Sequence, residues 1–221
     1  MWLKALTIFD SRWSWGSATL AYLYRQLDNA CCRITGSAGI GGNMLLLSIW
    51  SWERLLVGRP KSVKFNPWDE DGELRCPTWA YKWDVVSEMM TDVNLIYQKY
   101  IAELDTITPK QVVWQPYGAN DRIGYTEEFD INPMCLRGSD LWLMRCPLIC
   151  NWDVEFHLPH RVYRQFGLFQ PHLSEWVDTD KALHRLDRRK QRKIKDWDKH
   201  HASYATRFHL SVEQARNSAH S

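Results

Sequence analysis

Three acids, Asp140, Asp153 and Glu155, fall close together in the C-terminal half of the chain. A trio of carboxylates is what a nucleic-acid-processing enzyme uses to hold divalent metal ions. Acids are common, however, and the spacing of these three follows no fixed pattern. Among them lie Cys146, Cys150, His157 and His160, at intervals of three, six and two residues. Their types are those of a zinc site, but structural zinc ligands pair through C-x2-4-C and H-x3-5-H knuckles across a longer loop. The cluster meets that pattern only in part, so the thiols read as buried and inert, and no metal or cofactor is assigned. Arg161 and Arg164, beside the two histidines, could bind phosphate near a helix start. The preferred reading pairs them with Glu155 or Asp153. Glu53 and Arg54 sit in an apolar stretch where a charge must be compensated. Either they mark a ligand site, or Glu53 and an arginine such as Arg59 or Arg25 lock a helix to its neighbours; the second is preferred.

The densest charge lies at Lys181, Arg185, Arg188, Arg189, Lys190, Arg192, Lys193 and Lys195. These eight face the single acid Asp187, a net charge of +7 in a chain whose total is +2, which leaves the remainder at −5. A mildly acidic body carrying a basic stripe predicts where an anionic partner would dock. The stripe reads as a non-specific nucleic-acid contact, a nuclear import signal or a solvated helix face. No base-reading motif accompanies it.

A chain of 221 residues with 45% apolar content can bury a core. No apolar run approaches the roughly 18 residues needed to cross a bilayer, and Asp10 and Arg12 interrupt any leader-like stretch. The expectation is therefore a soluble, intracellular chain without a membrane partner. Six cysteines, two of them the adjacent pair Cys31-Cys32, fit reduced thiols. Thirteen tryptophans are several times the usual allotment, concentrated in Trp13-Ser14-Trp15-Gly16, Ile49 to Pro60 and Val113-Trp114-Gln115-Pro116-Tyr117. Each can bury about 200 Å², and core anchors are the preferred reading over a presented aromatic surface.

The elements that must position these residues are mostly helical. Leu20, Leu23, Tyr24 and Leu27 form one stripe of a helix over 15–32, with Arg25 off it. After the break at 35–39, Gly41-Gly42 opens a second helix over 43–56, apolar nearly all round and therefore the expected central buried element, ended by Gly58 and Pro60. There, Trp50→Ala is expected to cost about 3–5 kcal/mol if the ring is buried. Residues 61–81 read as a long Pro- and Trp-containing loop, 85–104 as a helix, and Thr108-Pro109 as a turn into Val112-Val113-Trp114. Leu141 to Cys150 is ambiguous between strand and buried helix. Pro159 starts a brief helix to Phe166 that Gly167 stops. One or two helices follow over 180–208, with a polar, frayed tail from Ser211. The expected class is mainly α: one irregular helical domain with a core over 1–178, a basic helical segment over 179–210 and a flexible tail over 211–221.

Ordered phrases along most of the chain resemble the plant mobile domain, a family of transposon-derived and host plant proteins that includes the maintenance-of-meristems proteins. They are Trp15-Gly16-Ser17-Ala18, Ile40-Gly41-Gly42, Trp50-Ser51-Trp52-Glu53-Arg54, Val57-Gly58-Arg59-Pro60, then Trp114, Pro116 and Tyr117. The later ones are Pro147-Leu148-Ile149, Glu155, His157, Pro159, Arg161, Arg164-Gln165-Phe166-Gly167, and Asp196-Trp197 with His201 and Tyr204. Family domains usually begin with a further stretch upstream of the Trp-Gly phrase, so a partial copy is expected.

The family carries the labels "aminotransferase-like" and "serine/threonine phosphatase 7 long form homolog". Neither the Gly-Asp-x-His-Gly and Gly-Asn-His-Glu strings of a metallophosphatase nor an identifiable Schiff-base constellation occurs here. The resemblance implies a non-enzymatic, nuclear interaction module in transposon silencing, gene expression and meristem maintenance, with a phosphatase-7-like protein partner. Trp50, Trp52, Trp114 and the Arg161–Gly167 phrase would hold its fold, while exposed aromatics and the basic stripe meet partners. The alternative is a transposon-derived nucleic-acid-processing enzyme or its remnant.

Overall fold

The computed structural model describes residues 14–32, 39–62, 69–70, 73–74, 78, 80, 83, 86–87, 92–114, 133–135, 137–170 and 194–219. Most of these are helical and a small part is in strands, so the class is mainly α. The principal elements are α1 (Trp15–Cys31), α2 (Met44–Arg54), α3 (Val93–Asp105), β1 (Cys146–Cys150), β2 (Asp153–His157), α4 (Trp197–His200) and α5 (Ala202–Ala219). The chain groups into two compact units, one formed from 1–43, 140–161 and 171–221 and the other from 44–139 and 162–170.

The first unit is built on the antiparallel β1–β2 hairpin, whose register runs from Cys146 opposite His157 to Cys150 opposite Asp153. The ambiguous stretch before Cys150 is thus a strand in its last five residues. Its turn is Asn151-Trp152, with Asn151 at φ +58°, a left-handed conformation that asparagine tolerates better than most residues. Because side chains alternate along a strand, Asp153, Glu155 and His157 share the face that receives Arg25 and Tyr24 of α1. Phe156, on the other face, meets Tyr204 and Arg207 of α5. Ala21, Cys146 and Leu148 form the buried centre, with Leu20, Tyr24, Met144, Cys150 and Phe208 packed on it. Gly42, at φ +106°, lies against Leu23; a Cβ there would come within 3.2 Å of that side chain, so the glycine lets the loop close on α1.

Two C-terminal expectations are corrected. Ile194 to Asp196 are not helical, and a helix starts only at Trp197, where the Asp196 carboxylate accepts from the Lys199 N–H. Lys195 therefore precedes the helix rather than lying on it. The remaining stripe residues, Lys181 to Lys193, fall outside the described residues. Beyond Ser211 the chain does not fray: α5 continues to Ala219. The Ser211 hydroxyl bonds the Arg145 carbonyl at 3.0 Å, and Arg216 lies 3.9 Å from Asp140, giving this polar segment tertiary anchors that its periodicity does not reveal.

In the second unit, α2 is not the buried element expected. Leu45 is 66% exposed and Trp50 38%, Met44 and Leu46 are exposed too, and the one buried residue of the helix is Glu53. There its carboxylate accepts the indole N–H of Trp83. Trp50 carries Arg54 over its ring at 5.7 Å. Truncating a ring so open to water removes less apolar burial, so Trp50→Ala should cost about 1–2 kcal/mol in urea unfolding, not the 3–5 of an enclosed indole. A loss above 3 kcal/mol would show that the ring is enclosed in solution.

The N-terminus of α3 lies later than its apolar spacing indicates, because Asp92 caps the amides of Asn94 and Leu95. Val86–Ser87 instead ladder with Lys61–Ser62, and Asp69–Glu70 with Glu73–Leu74. Gly58, at φ +58°, sits where a Cβ would be 2.8 Å from the Tyr100 ring, and its N–H donates to Glu103 of α3. The turn from Thr108 follows the sequence reading: a 3-10 turn over Pro109–Gln111 leads to Val113, whose N–H donates to the Arg54 carbonyl. Pro159–Phe166 is a 3-10 segment broken at Val162, and Gly167 at φ +69° follows it.

Candidate functional site

The polar residues singled out for chemistry gather on the hairpin, and most serve its packing. Arg25, 5% exposed, pairs with Glu155 through Nε and with Asp153 through Nη1 at 3.3 Å, while Nη2 donates to the Val154 carbonyl at 3.3 Å. The guanidinium fork thus serves two carboxylates and a backbone oxygen at once, as a planar donor set can. Arg25 is thus seated on both acids, while Arg161 and Arg164, which the sequence reading paired with them, are exposed. Glu53 accepts from the Trp83 indole, and Arg59 lies over the same ring at 5.1 Å.

His157 joins the same layer. Its Nε2 lies 3.0 Å from the Trp142 carbonyl and its Nδ1 3.2 Å from the Tyr24 hydroxyl. A carbonyl can only accept, so in the neutral ring Nε2 carries the proton and Tyr24 donates to Nδ1. Cys146 opposes His157 across the hairpin, and burial pushes its thiol up to about 11, with Cys150 also raised. Such thiols are poor nucleophiles and poor metal ligands at neutral pH. Among the described residues no three His, Cys, Asp or Glu side chains are grouped to hold a metal ion. Cys31 and Cys32, by contrast, are exposed.

His201 lies at the centre of an aromatic cluster. It stacks on Trp197 at 5.3 Å, with His200 and Tyr204 against its edges. It is almost fully buried, and neither ring nitrogen makes a hydrogen bond of ordinary geometry, although the nearby Asn151 backbone favours the protonated ring. Burial, then His200, lowers its pKa below the ordinary 6.5. The unfolded chain consequently binds more protons, so stability is present above about pH 6.5 and is lost as pH falls toward the folded value. Urea midpoints at pH 8 and pH 5 should show a smaller acid loss in His201→Phe than in the parent protein. Equal losses would mean that His201 stays protonated in the fold.

The second feature is a cleft of about 420 Å³ between the hairpin and α5. Arg145 enters it just ahead of β1, His160 and Arg161 from the segment after β2, and Arg207 from α5, over a floor including Phe156 and Leu210. The Arg207 guanidinium lies 5.2 Å from the Phe156 ring centroid, in cation–π range. The positive field reaches His160, whose pKa is lowered by burial, then by Arg145 and Arg161.

The plant mobile domain profile matches residues 4–219. The chain belongs to the plant mobile domain family. It is 37% identical to the Arabidopsis thaliana "Serine/threonine-protein phosphatase 7 long form homolog" over 98% of its own length and 15% of that protein. It is 30% identical to Arabidopsis "Protein MAIN-LIKE 1" over 84% of this chain and 33% of that one. With "Protein MAINTENANCE OF MERISTEMS" from the same plant it shares 33% identity over 72% of this chain and 29% of the other. The chain thus spans a third or less of these relatives. No solved structure matches it.

The plant mobile domain phrases occupy distinct roles. Trp15 is exposed and Gly16 opens onto free space, while Gly41 and Gly42 fit against Gln26 and Leu23 of α1. Trp52 packs on Trp83 at 5.2 Å, Arg54 and Arg59 ride on indoles, Pro60 and Trp114 are half-buried, and Pro159 is buried. Pro116 and Tyr117, with the side chains of Gln165 and Phe166, lie outside the described residues. Sequence reading missed Arg25 as a site residue, and also Arg145, Arg207, Phe156 and Trp83. Arg25 carried one signal, a charge beside a helical apolar stripe facing a strand that holds two acids.

Proposed function

We propose that this plant mobile domain is a non-enzymatic interaction module acting in the nucleus, in transposon silencing, gene expression and meristem maintenance, with a phosphatase-7-like protein as partner. The observation that carries the reading is the Arg25 pairing. It commits Asp153 and Glu155, two of the three candidate catalytic acids, to holding α1 on the hairpin. Membership of the plant mobile domain family and the likeness to maintenance-of-meristems and phosphatase-7-homolog proteins support the meristem and partner parts of this reading. The basic residues Lys181 to Lys195 add a non-specific nucleic-acid contact, with micromolar affinity for duplex DNA at low salt that weakens steeply by about 200 mM.

Affinity capture on the tagged chain from plant nuclei tests the partner, with recovery of a phosphatase-7-like protein expected. The opposite result is a divalent-metal-dependent cleavage of DNA that Asp153→Asn abolishes while the fold persists. That would replace this reading with the transposon-derived nucleic-acid-processing enzyme.

A further inference from the structure

We propose that the exposed Cys31–Cys32 pair at the C-terminal end of α1 is a two-coordinate thiolate site for a soft monovalent cation, copper(I) being the ion whose chemistry it fits. The inference goes beyond the interaction-module reading and does not depend on it. Both thiols are free and open to water, whereas Cys146 is buried and Cys150 half-buried. Adjacent in sequence and exposed together, they form a ligand pair that the packing of the first unit does not use. Thiolates are soft donors that select soft ions over hard ones.

The backbone sets the bite of the pair. Cys31 is the last residue of α1, and the Cys32 N–H still donates to the Asp28 carbonyl at 3.0 Å, with Cys32 in a right-handed helical conformation at φ −85°. Successive residues on that screw hold their Cβ atoms about 5 Å apart. A disulfide requires Cβ atoms about 3.5–4.5 Å apart, so the two thiols cannot close on each other while the last turn stays wound. One ion between them fits. With metal–sulfur bonds of about 2.3 Å, a linear S–M–S unit spans about 4.6 Å, and rotation about each χ1 brings the sulfurs to that separation. Zinc suits the site less well, because it takes four ligands. Among the described residues no three His, Cys, Asp or Glu side chains are grouped to supply them. Copper(I) is complete with two. Binding releases both thiol protons to solvent and leaves a bis-thiolate with one negative charge, and no electron changes hands. The outward carbonyls of a helix end oppose that charge, while water around the exposed thiols screens it.

The test titrates the full chain, reduced and kept under nitrogen, with copper(I) from its acetonitrile complex in competition with a colorimetric copper(I) chelator. Each ion taken up by the pair should release about two protons. Cys31→Ser and Cys32→Ser should each weaken its retention by about 100-fold, because the second thiolate acts at the high effective concentration fixed by its neighbour. The double variant Cys31→Ser with Cys32→Ser should lose the ion, while Cys76→Ser with Cys135→Ser should hold it within about threefold of the parent affinity. Circular dichroism establishes that each variant is folded, and sedimentation gives the mass of the loaded chain. Retention of the ion by the folded double variant would overturn the proposal. So would single variants that keep the parent affinity, or a doubled mass on loading, which would mean that two copies share the metal through four sulfurs.

Discussion

Arg25→Ala should destabilise the protein by about 3–5 kcal/mol, the range for breaking a buried ion pair from one side. Asp153 and Glu155 are each under a tenth exposed, and without the guanidinium they become two adjacent carboxylates in a site water barely reaches. The Val154 carbonyl loses a donor as well. Arg25→Lys should recover only part of the loss, because a single ammonium cannot span both acids and the carbonyl in the fork geometry. Replacing all three members at once, Arg25→Met with Asp153→Asn and Glu155→Gln, should cost less than Arg25→Ala alone, since no unmatched charge is left behind. Urea unfolding measures all three. A cost below about 1 kcal/mol for Arg25→Ala would mean that solvent reaches the acids and that α1 is held by its apolar side chains.

Glu53→Ala carries the second large effect, about 2–4 kcal/mol. Glu53 is 4% exposed and accepts the indole N–H of Trp83, itself buried and packed between Trp52 and Arg59. Alanine leaves a buried donor without its acceptor and a gap in an aromatic layer. Glu53→Gln keeps a carbonyl oxygen for the same bond and should retain more than half of the lost stability. The pair Glu53→Ala and Trp83→Phe, measured singly and together, should be strongly non-additive because both remove one bond. Additive losses would show that Glu53 is held by other partners and that Trp83 contributes only packing.

Local features were legible where the chain's own chemistry decides them. The α1 stripe, the Thr108-Pro109 turn, the Pro159 start and the Gly167 stop each depend on neighbouring residues. The hairpin was not: Pro147 inside an apolar run blurred strand and helix, and the Asp153 to His157 strand mixes charge with β-formers because one face must neutralise Arg25. Burial of α2 was misread because an apolar composition all round states what a helix can bury, while what covers it depends on residues far away. Of the site, the acids, His157, His160 and Arg161 were visible as residues worth testing. Their grouping was not, since Arg25 and Glu155 are 130 positions apart and nothing local announces a contact of that span.

That span has a consequence for how the molecule is made. During synthesis α1 emerges first, but the hairpin it must clamp is translated more than a hundred residues later, and α5 later still. The intervening stretch, 44–139, supplies most of the second unit and can begin to condense while α1 waits with its cationic side chain in water. Completion of the first unit is therefore a late, high-contact-order event. Nascent chains stalled before residue 146 should hold α1 undocked and open to proteases and chaperones.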